Sequence, residues 1–191
     1  MARPVVHDDS LRQELLAVTV ELVDRNGPVR VTLRDVASAA RTSTTAVYSL
    51  FGGKSQLLTA VVDDGFRSFR DSQVAAAPEG LQPLGVAYRR WALEHPALYR
   101  LMFGGAMAAF VDCRPSPEAA GGAMEPLREA VAAAQASGVM RDAPVDLVAA
   151  AIWGQVHGLV SLELAQMGPP SADWATAYDS ALDAVARGWA A

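Results

Sequence analysis

Lys54 is the only lysine in this chain of 191 residues, and the residues just before it are dense in hydroxyls: Thr42, Ser43, Thr44, Thr45, Tyr48 and Ser49. Arg34 and Arg41 stand upstream of them. Hydroxyls can serve phosphate oxygens or base edges, threonine methyls can contact thymine, and Tyr48 is long enough to reach either. Arg41 can hold a phosphate through a charge-assisted hydrogen bond. Lys54 lies where a new helix is expected to begin. A cation there opposes the positive end of the helix dipole, and an anion shared by the ammonium and the free backbone N–H groups relieves that conflict. Thr32 and the N–H groups after it offer a similar phosphate site on the other flank.

These side chains need elements to carry them. Ser10 with Gln13 has capping-box spacing, and Leu11, Leu15, Val18 and Leu22 then recur at helical period. Asn26-Gly27-Pro28 ends that first helix. Thr32 with Asp35 starts a second helix, which runs to about Ala40. A third, capped by Thr42 or Ser43, runs to about Phe51. Gly52-Gly53 interrupts the chain, and from Lys54 onward Leu57, Leu58, Val61, Val62, Phe66 and Phe69 mark a fourth helix reaching about Ala75. Val36, Ala37 and Ala40 on the second helix are apolar or small, as a crossing requires, and Val47 and Leu50 face them from the third. This is a helix-turn-helix, whose second helix presents its N-terminal residues to a major groove. Thr44, Thr45, Tyr48 and Ser49 point outward from it, with Arg41 and Thr42 at the turn.

Pro78-Glu79-Gly80 divides the chain into a DNA-binding segment, residues 1–53, a connecting helix, 54–77, and a second helical domain, 78–191. Pro83 suits the first turn of a helix carrying Tyr88, Trp91 and Leu93. His95-Pro96 forces a break before Leu98, Tyr99, Leu101, Met102 and Phe103. Asp112 to Gly122 reads as a loop, Met124 to Ala136 as a helix, and two last helices span about Val145–Met167 and Ala172–Ala190.

Val145, Val148, Ile152, Val156 and Leu159 spread round the first of these last helices, so several of its sides are expected to be covered. Gly154 and Gly158 share a face and permit close approach by another helix. The last helix carries Trp174, Tyr178, Leu182, Val185 and Trp189 in one stripe. Paired with a twofold copy, the two helices would make a four-helix dimer interface, the alternative being that both stripes close only the core of one chain. A ligand pocket is expected among Tyr88, Trp91, Met102, Phe103, Met107, Phe110, Trp153 and His157. Aromatic and Met side chains suit a mostly apolar small molecule, with Tyr88 and His157 as polar handles. Ordinary core is the alternative for each residue taken singly.

Composition narrows the function. Hydrophobic residues make up 51% of the chain, which argues for a packed globule. The net charge of −5 is unevenly placed: residues 1–70 hold nine Lys and Arg against eight Asp and Glu, and the remainder hold seven against thirteen. Within residues 27–62 the cations Arg30, Arg34, Arg41 and Lys54 face Asp35 alone, and screening over about 8 Å makes the local face decide a DNA contact. One cysteine, Cys113, in a Pro-rich loop, excludes a disulfide framework. His7, His95 and His157 lie on separate segments, and no metalloprotease, nucleophile-elbow, P-loop or dinucleotide motif occurs, so neither catalysis nor a metal or other cofactor is expected. The run Leu147–Leu162 contains Gln155, His157 and Ser161 and falls short of the roughly 20 apolar residues of a membrane span. Signal-peptide features are absent at the N-terminus. A cytoplasmic protein without a membrane partner is expected.

Thr32-Leu-Arg-Asp-Val-Ala37, then Ser43, Ala46-Val-Tyr48, Phe51 and Lys54 through Leu57-Leu58 resembles the signature of the TetR/AcrR family of bacterial transcriptional regulators, over roughly residues 10–60. Trp91, His95-Pro96, Tyr99, Met102-Phe103, Trp153-Gly154 and His157-Gly158 resemble a C-terminal subtype of the same family. The resemblance implies an all-α homodimer, with an N-terminal helix-turn-helix domain and a C-terminal ligand-binding and dimerisation domain. It implies a double-stranded DNA operator and a small-molecule effector as partners, the protein acting as a repressor released by that effector. A helical ligand-binding or protein-interaction regulator that has lost specific DNA binding is the alternative. By position, Thr32, Ser43, Thr44, Thr45, Tyr48 and Lys54 would face DNA. Two positions depart from the pattern: Arg41-Thr42 replaces a glycine and an apolar residue at the turn, and Leu50 replaces an aromatic or histidine. A left-handed arginine costs roughly 1–2 kcal/mol, so either the turn is shaped differently or a phosphate contact offsets the cost.

Overall fold

A computed structural model describes residues 5–104, 115–169 and 171–191, with side chains from residue 9 onward. Among the described residues the regular structure is helical, apart from one isolated antiparallel bridge between Met140 and Ala190. The helices run in the order α1 Val5–Asn26, α2 Leu33–Ala39, α3 Thr44–Phe51, α4 Lys54–Ala76, a 3-10 turn Ala77–Glu79, α5 Leu81–Glu94, α6 Pro96–Phe103, α7 Pro117–Ala136, α8 Val145–Leu164 and α9 Trp174–Trp189. The all-α expectation holds. The chain divides into two units, one taking the residues up to Arg67 with Ala97–Ala120, the other Ser68–Pro96 with Gly121–Ala191. Both α4 and α7 contribute to each.

The first unit is built on α1–α3 and the first half of α4. Leu15, Leu16 and Val23 of α1 are buried with Val36 and Ala37 of α2, Val47 and Phe51 of α3, and Leu57, Leu58, Val61 and Val62 of α4. Thr19 is fully buried, and its hydroxyl donates to the Leu15 carbonyl at 2.6 Å, so no polar atom there is stranded. α6 crosses α4 at Gly65, where an added Cβ would lie 2.6 Å from Met102 Sδ and 3.0 Å from Leu98 Cδ1. Phe66 and Phe103 meet edge to face beside that crossing, with centroids 5.6 Å apart. Arg100 of α6 pairs with Asp24 of α1 at 2.7 Å.

In the second unit α8 buries Val148, Ala149, Ile152, Val156 and Val160, a single stripe at helical spacing. Val131 of α7 and Met140 join its core, with Val185 and Trp189 of α9 packed against it. Tyr178 of α9 is buried, and its hydroxyl donates to the Gly85 carbonyl of α5 at 2.7 Å. Leu182 presses on Gly85 where any larger residue would carry its Cβ. Arg89 of α5 grips Glu163 of α8 with two hydrogen bonds, of 2.8 and 2.6 Å.

Four expectations need correction. α1 begins at Val5, so Ser10 and Gln13 lie inside the helix and do not cap it. The loop expected through Gly122 is helical from Pro117, because proline suits a first turn and Ser116 Oγ accepts the Ala119 N–H at 3.2 Å. Residues 112–114, with Cys113, lie outside the described residues. The third concerns the proposed dimer stripes. Val148, Ile152, Val156, Tyr178 and Leu182 are buried within one chain, Val145, Val185 and Trp189 pack on the same core, Leu159 is half-buried, and Trp174 lies over Gly168. Val148, Ile152, Val156, Tyr178 and Leu182 therefore close the chain's own core. Finally, α8 is 20 residues long and holds an 18-residue window with a mean hydropathy of 1.4, enough by length and composition alone to cross a membrane, as a buried core helix also can be. Its buried stripe is one face only.

Candidate functional site

Thr32 opens α2 in extended conformation, and its hydroxyl accepts the Asp35 N–H at 3.2 Å. Asp35 returns the contact, one carboxylate oxygen accepting both the Thr32 N–H at 3.0 Å and the Thr32 hydroxyl at 2.6 Å. The capping box expected from the sequence is therefore present. Hydrogen bonds from the Thr32 hydroxyl and N–H hold the Asp35 carboxyl below its ordinary value. The same bonds hold the Thr32 donors within the cap.

α2 ends at a non-glycine residue in the left-handed region, Arg41, with φ +50°. Its N–H donates to the Ser38 carbonyl at 3.1 Å and the Thr42 N–H to the Ala37 carbonyl at 2.9 Å. Those two bonds are the Schellman closure, which normally has glycine at this position. The turn keeps its shape and the arginine carries the strain, about 1–2 kcal/mol. Ser43 then caps α3, accepting the Ala46 N–H at 3.1 Å. Val47 is fully buried and Phe51 nearly so, with the Arg12 guanidinium 5.4 Å from the Phe51 ring centre. These anchors turn Thr45, Tyr48 and Ser49 outward, and Tyr48 is 57% exposed. Thr42, Thr44 and Leu50 are half-buried; Arg34, Arg41 and Ser43 are exposed.

Lys54 starts α4 as expected, and its ammonium donates to the Val29 carbonyl at 2.9 Å. It ties the α1–α2 connection to the first turn of α4, where a loose surface charge would do neither. Val29 itself is 71% exposed.

The second unit holds an apolar cavity of about 70 Å³. Phe69, Leu84, Tyr88, Met124, Ile152 and Trp153 are among its walls. Gln73 is its buried polar side chain; oriented to satisfy both neighbours, its amide donates to the Leu84 carbonyl and accepts the Tyr88 N–H, each at 3.3 Å. Behind the wall, the Tyr88 hydroxyl and His157 Nδ1 share a hydrogen bond of 2.9 Å, and Ser161 Oγ lies 3.5 Å from Nε2. Burial pushes the His157 imidazole below its ordinary value, which favours the neutral ring.

Residues 81–185, more than half of the chain, match the family model described as "Tetracyclin repressor-like, C-terminal domain". Residues 15–61 match the one described as "Bacterial regulatory proteins, tetR family". The chain belongs to the TetR family. It is a DNA-binding transcriptional regulator with a C-terminal ligand-binding domain. A protein with unknown function from Rhodococcus sp. RHA1 is similar in structure, with TM-score 0.79 and 27% identity over 95% of this chain and 96% of that one. A TetR family transcription regulator from Marinobacter aquaeolei VT8 has TM-score 0.76 and 23% identity over 96% and 97% of the two chains. One from Pectobacterium atrosepticum has TM-score 0.72 and 23% identity over 98% of each, and these last two likenesses show the fold. No curated protein matches the chain.

For this TetR-family chain the structure gathers Arg34, Arg41, Ser43, Thr45, Tyr48 and Ser49 on exposed positions of the helix-turn-helix. The expected pocket is less coherent. Tyr88 and Trp153 line the cavity, while Trp91 is buried with its indole N–H donating to Ser68 Oγ at 3.1 Å, and His157 stands behind Tyr88. Met102 and Phe103 pack on α4 in the first unit, and Met107 and Phe110 lie outside the described residues. Sequence reading missed Gln73, Gly85, Met124 and Ile152 as cavity walls. Gln73 left a signal, a polar residue on the same face of α4 as Phe66 and Phe69.

Proposed function

We propose that this regulator reads its operator with the exposed face of α3 and that a small, mostly apolar effector bound in the second unit releases it. Residues 1–53 form the DNA-binding domain, 54–77 connect it onward, and 78–191 bind the effector and a second copy. Ser43, Thr45, Tyr48 and Ser49 meet base edges and nearby phosphates, while Arg34, Arg41, Thr42, Thr44 and Lys54 meet phosphates on either side. Thr32 keeps its place as the cap that sets α2. The observation that carries the reading is α3 itself: Val47 and Phe51 lock one face inward, so a tyrosine and three hydroxyls stand exposed beside a left-handed arginine.

The dimer, as proposed, forms on the opposite sides of α8 and α9 from those named in the sequence. Leu147 and Leu162 are 55% and 44% exposed, and Cβ atoms added at Gly154, Gly158 and Gly188 would meet nothing within 4 Å. Such a face supports close packing by a twofold copy. Acting on DNA, the protein works in the cytoplasm, with no membrane partner.

Random-site DNA selection followed by gel shift at rising salt tests the reading. Tyr48→Ala should lower operator affinity at least tenfold with an unchanged thermal midpoint. Full affinity in that variant would remove α3 as the reader, and selection that enriches no sequence would favour a regulator without specific DNA binding.

A further inference from the structure

Leu81, Met140 and Ala186 line two hollows at once: the cavity described above and a groove of about 420 Å³ between the 3-10 turn, α7 and α9. Small residues floor the groove, among them Ala77, Ala130, Ala133 and Ala134, and Val139, 70% exposed, stands at its edge. We infer that groove and cavity form one binding site for an elongated, uncharged, mostly apolar small molecule. One end of it reaches in toward Gln73 while the rest lies along the alanine floor. The inference rests on the second unit binding the effector and adds the shape, charge and entry route of that ligand.

Four observations carry it. The cavity alone, at about 70 Å³, falls well below the roughly 300–1,000 Å³ of small-molecule sites, and the groove brings the joined volume into that range. None of the side chains lining either hollow is Lys, Arg, His, Asp or Glu. A charged group there would give up its hydration with no partner in return. The partition between the hollows is also soft. Met140 is buried on an unbranched side chain and Leu81 is half-buried, so both can swing without moving backbone. At the inner end the Gln73 amide makes two hydrogen bonds at 3.3 Å, long enough for a ligand hydroxyl to compete for one of them.

The test uses straight-chain 1-alkanols from hexanol to dodecanol, read by displacement of the neutral fluorophore N-phenyl-1-naphthylamine, with alkanoates of equal length as charged controls. Each added methylene should tighten binding about fourfold, since it leaves water for an apolar wall. Alkanoates should bind at least a hundredfold more weakly. Ala133→Trp, at an exposed position on the groove floor, should leave hexanol unchanged and abolish the gain for the longer alcohols; Val139→Asp should weaken the same alcohols. If both variants keep the full chain-length series, or if alkanoates match the alkanols, the joined site is overturned while effector binding by the cavity stands. If folded wild type binds neither the fluorophore nor any alcohol, the effector reading falls with it. A change of sedimentation in Ala133→Trp would make the groove a contact between copies and also overturn the inference.

Discussion

At the scale of single residues, Arg41 carries two opposed demands. The Schellman closure of α2 wants a residue without a Cβ at φ +50°, while a face approaching phosphate wants a cation. Arg41→Gly separates them. Relief of about 1–2 kcal/mol of left-handed strain, less the 0.5–1 kcal/mol or so that glycine loses through its freer unfolded chain, should leave the variant more stable by up to about 1.5 kcal/mol. Urea midpoints at pH 7 should therefore rise while operator affinity falls and its salt slope becomes shallower by about one. A lower midpoint would mean that the arginine makes contacts outweighing its strain. His157 gives the pH counterpart. Its folded value lies below the ordinary 6.5, so the unfolded chain takes up a proton first as the pH falls. Its contribution is whole above pH 6.5 and is lost as the pH drops from there toward the folded value. Thermal midpoints between pH 7.5 and 5.5 should decline more steeply in wild type than in His157→Gln; parallel curves would show that the ring's titration does not matter to folding.

At the scale of elements, the crossings explain which helices sit where. α5 and α9 meet at Gly85, where Leu182 fills the space of the missing side chain and the Tyr178 hydroxyl bonds the buried Gly85 carbonyl. Gly85→Ala should cost about 1–3 kcal/mol by overpacking, despite the better helix propensity of alanine. Calorimetry would check this, and a stabilised variant would show that Leu182 swings aside freely. This crossing also marks what a linear sequence can and cannot disclose. The capping box at Thr32, the cap at Ser43 and the break at Gly52-Gly53 depend on neighbours within a few positions, so residue types reveal them. The stripe Trp174-Tyr178-Leu182 announces a buried face just as clearly, yet Tyr178 finds its acceptor 93 positions away. Periodicity says that a face is covered and is silent on what covers it, which is why α9 reads as an interface from sequence and packs as core in the fold. Local composition misled at Pro117–Gly122 for a related reason: glycine and proline there mark a helix start that Ser116 can cap.

At the scale of the whole molecule, the described faces of α8 divide its labour. One side, from Val148 to Val160, belongs to the chain's own core, and the other leaves Leu147, Gly154 and Leu162 outward. Gly154→Arg enters open space in the single chain, so it should leave folding intact or gain the roughly 1 kcal/mol by which glycine weakens a helix. In sedimentation the same variant should run as a monomer; a persistent dimer would place the contact on another surface. Trp189→Ala, in contrast, should lower stability by about 2–4 kcal/mol without changing the association of the folded fraction. The uneven charge belongs to this scale too, since the acidic excess lies beyond residue 70 and leaves the helix-turn-helix locally positive. Lys54, finally, is alone of its kind in 191 residues, so an amine-reactive ester has one side-chain target in the entire protein. Acylation removes the charge that this side chain brings to the Val29 carbonyl. A singly acylated protein, identified by mass spectrometry, therefore shows what that contact contributes to the tie between the α1–α2 connection and α4, with no residue substituted.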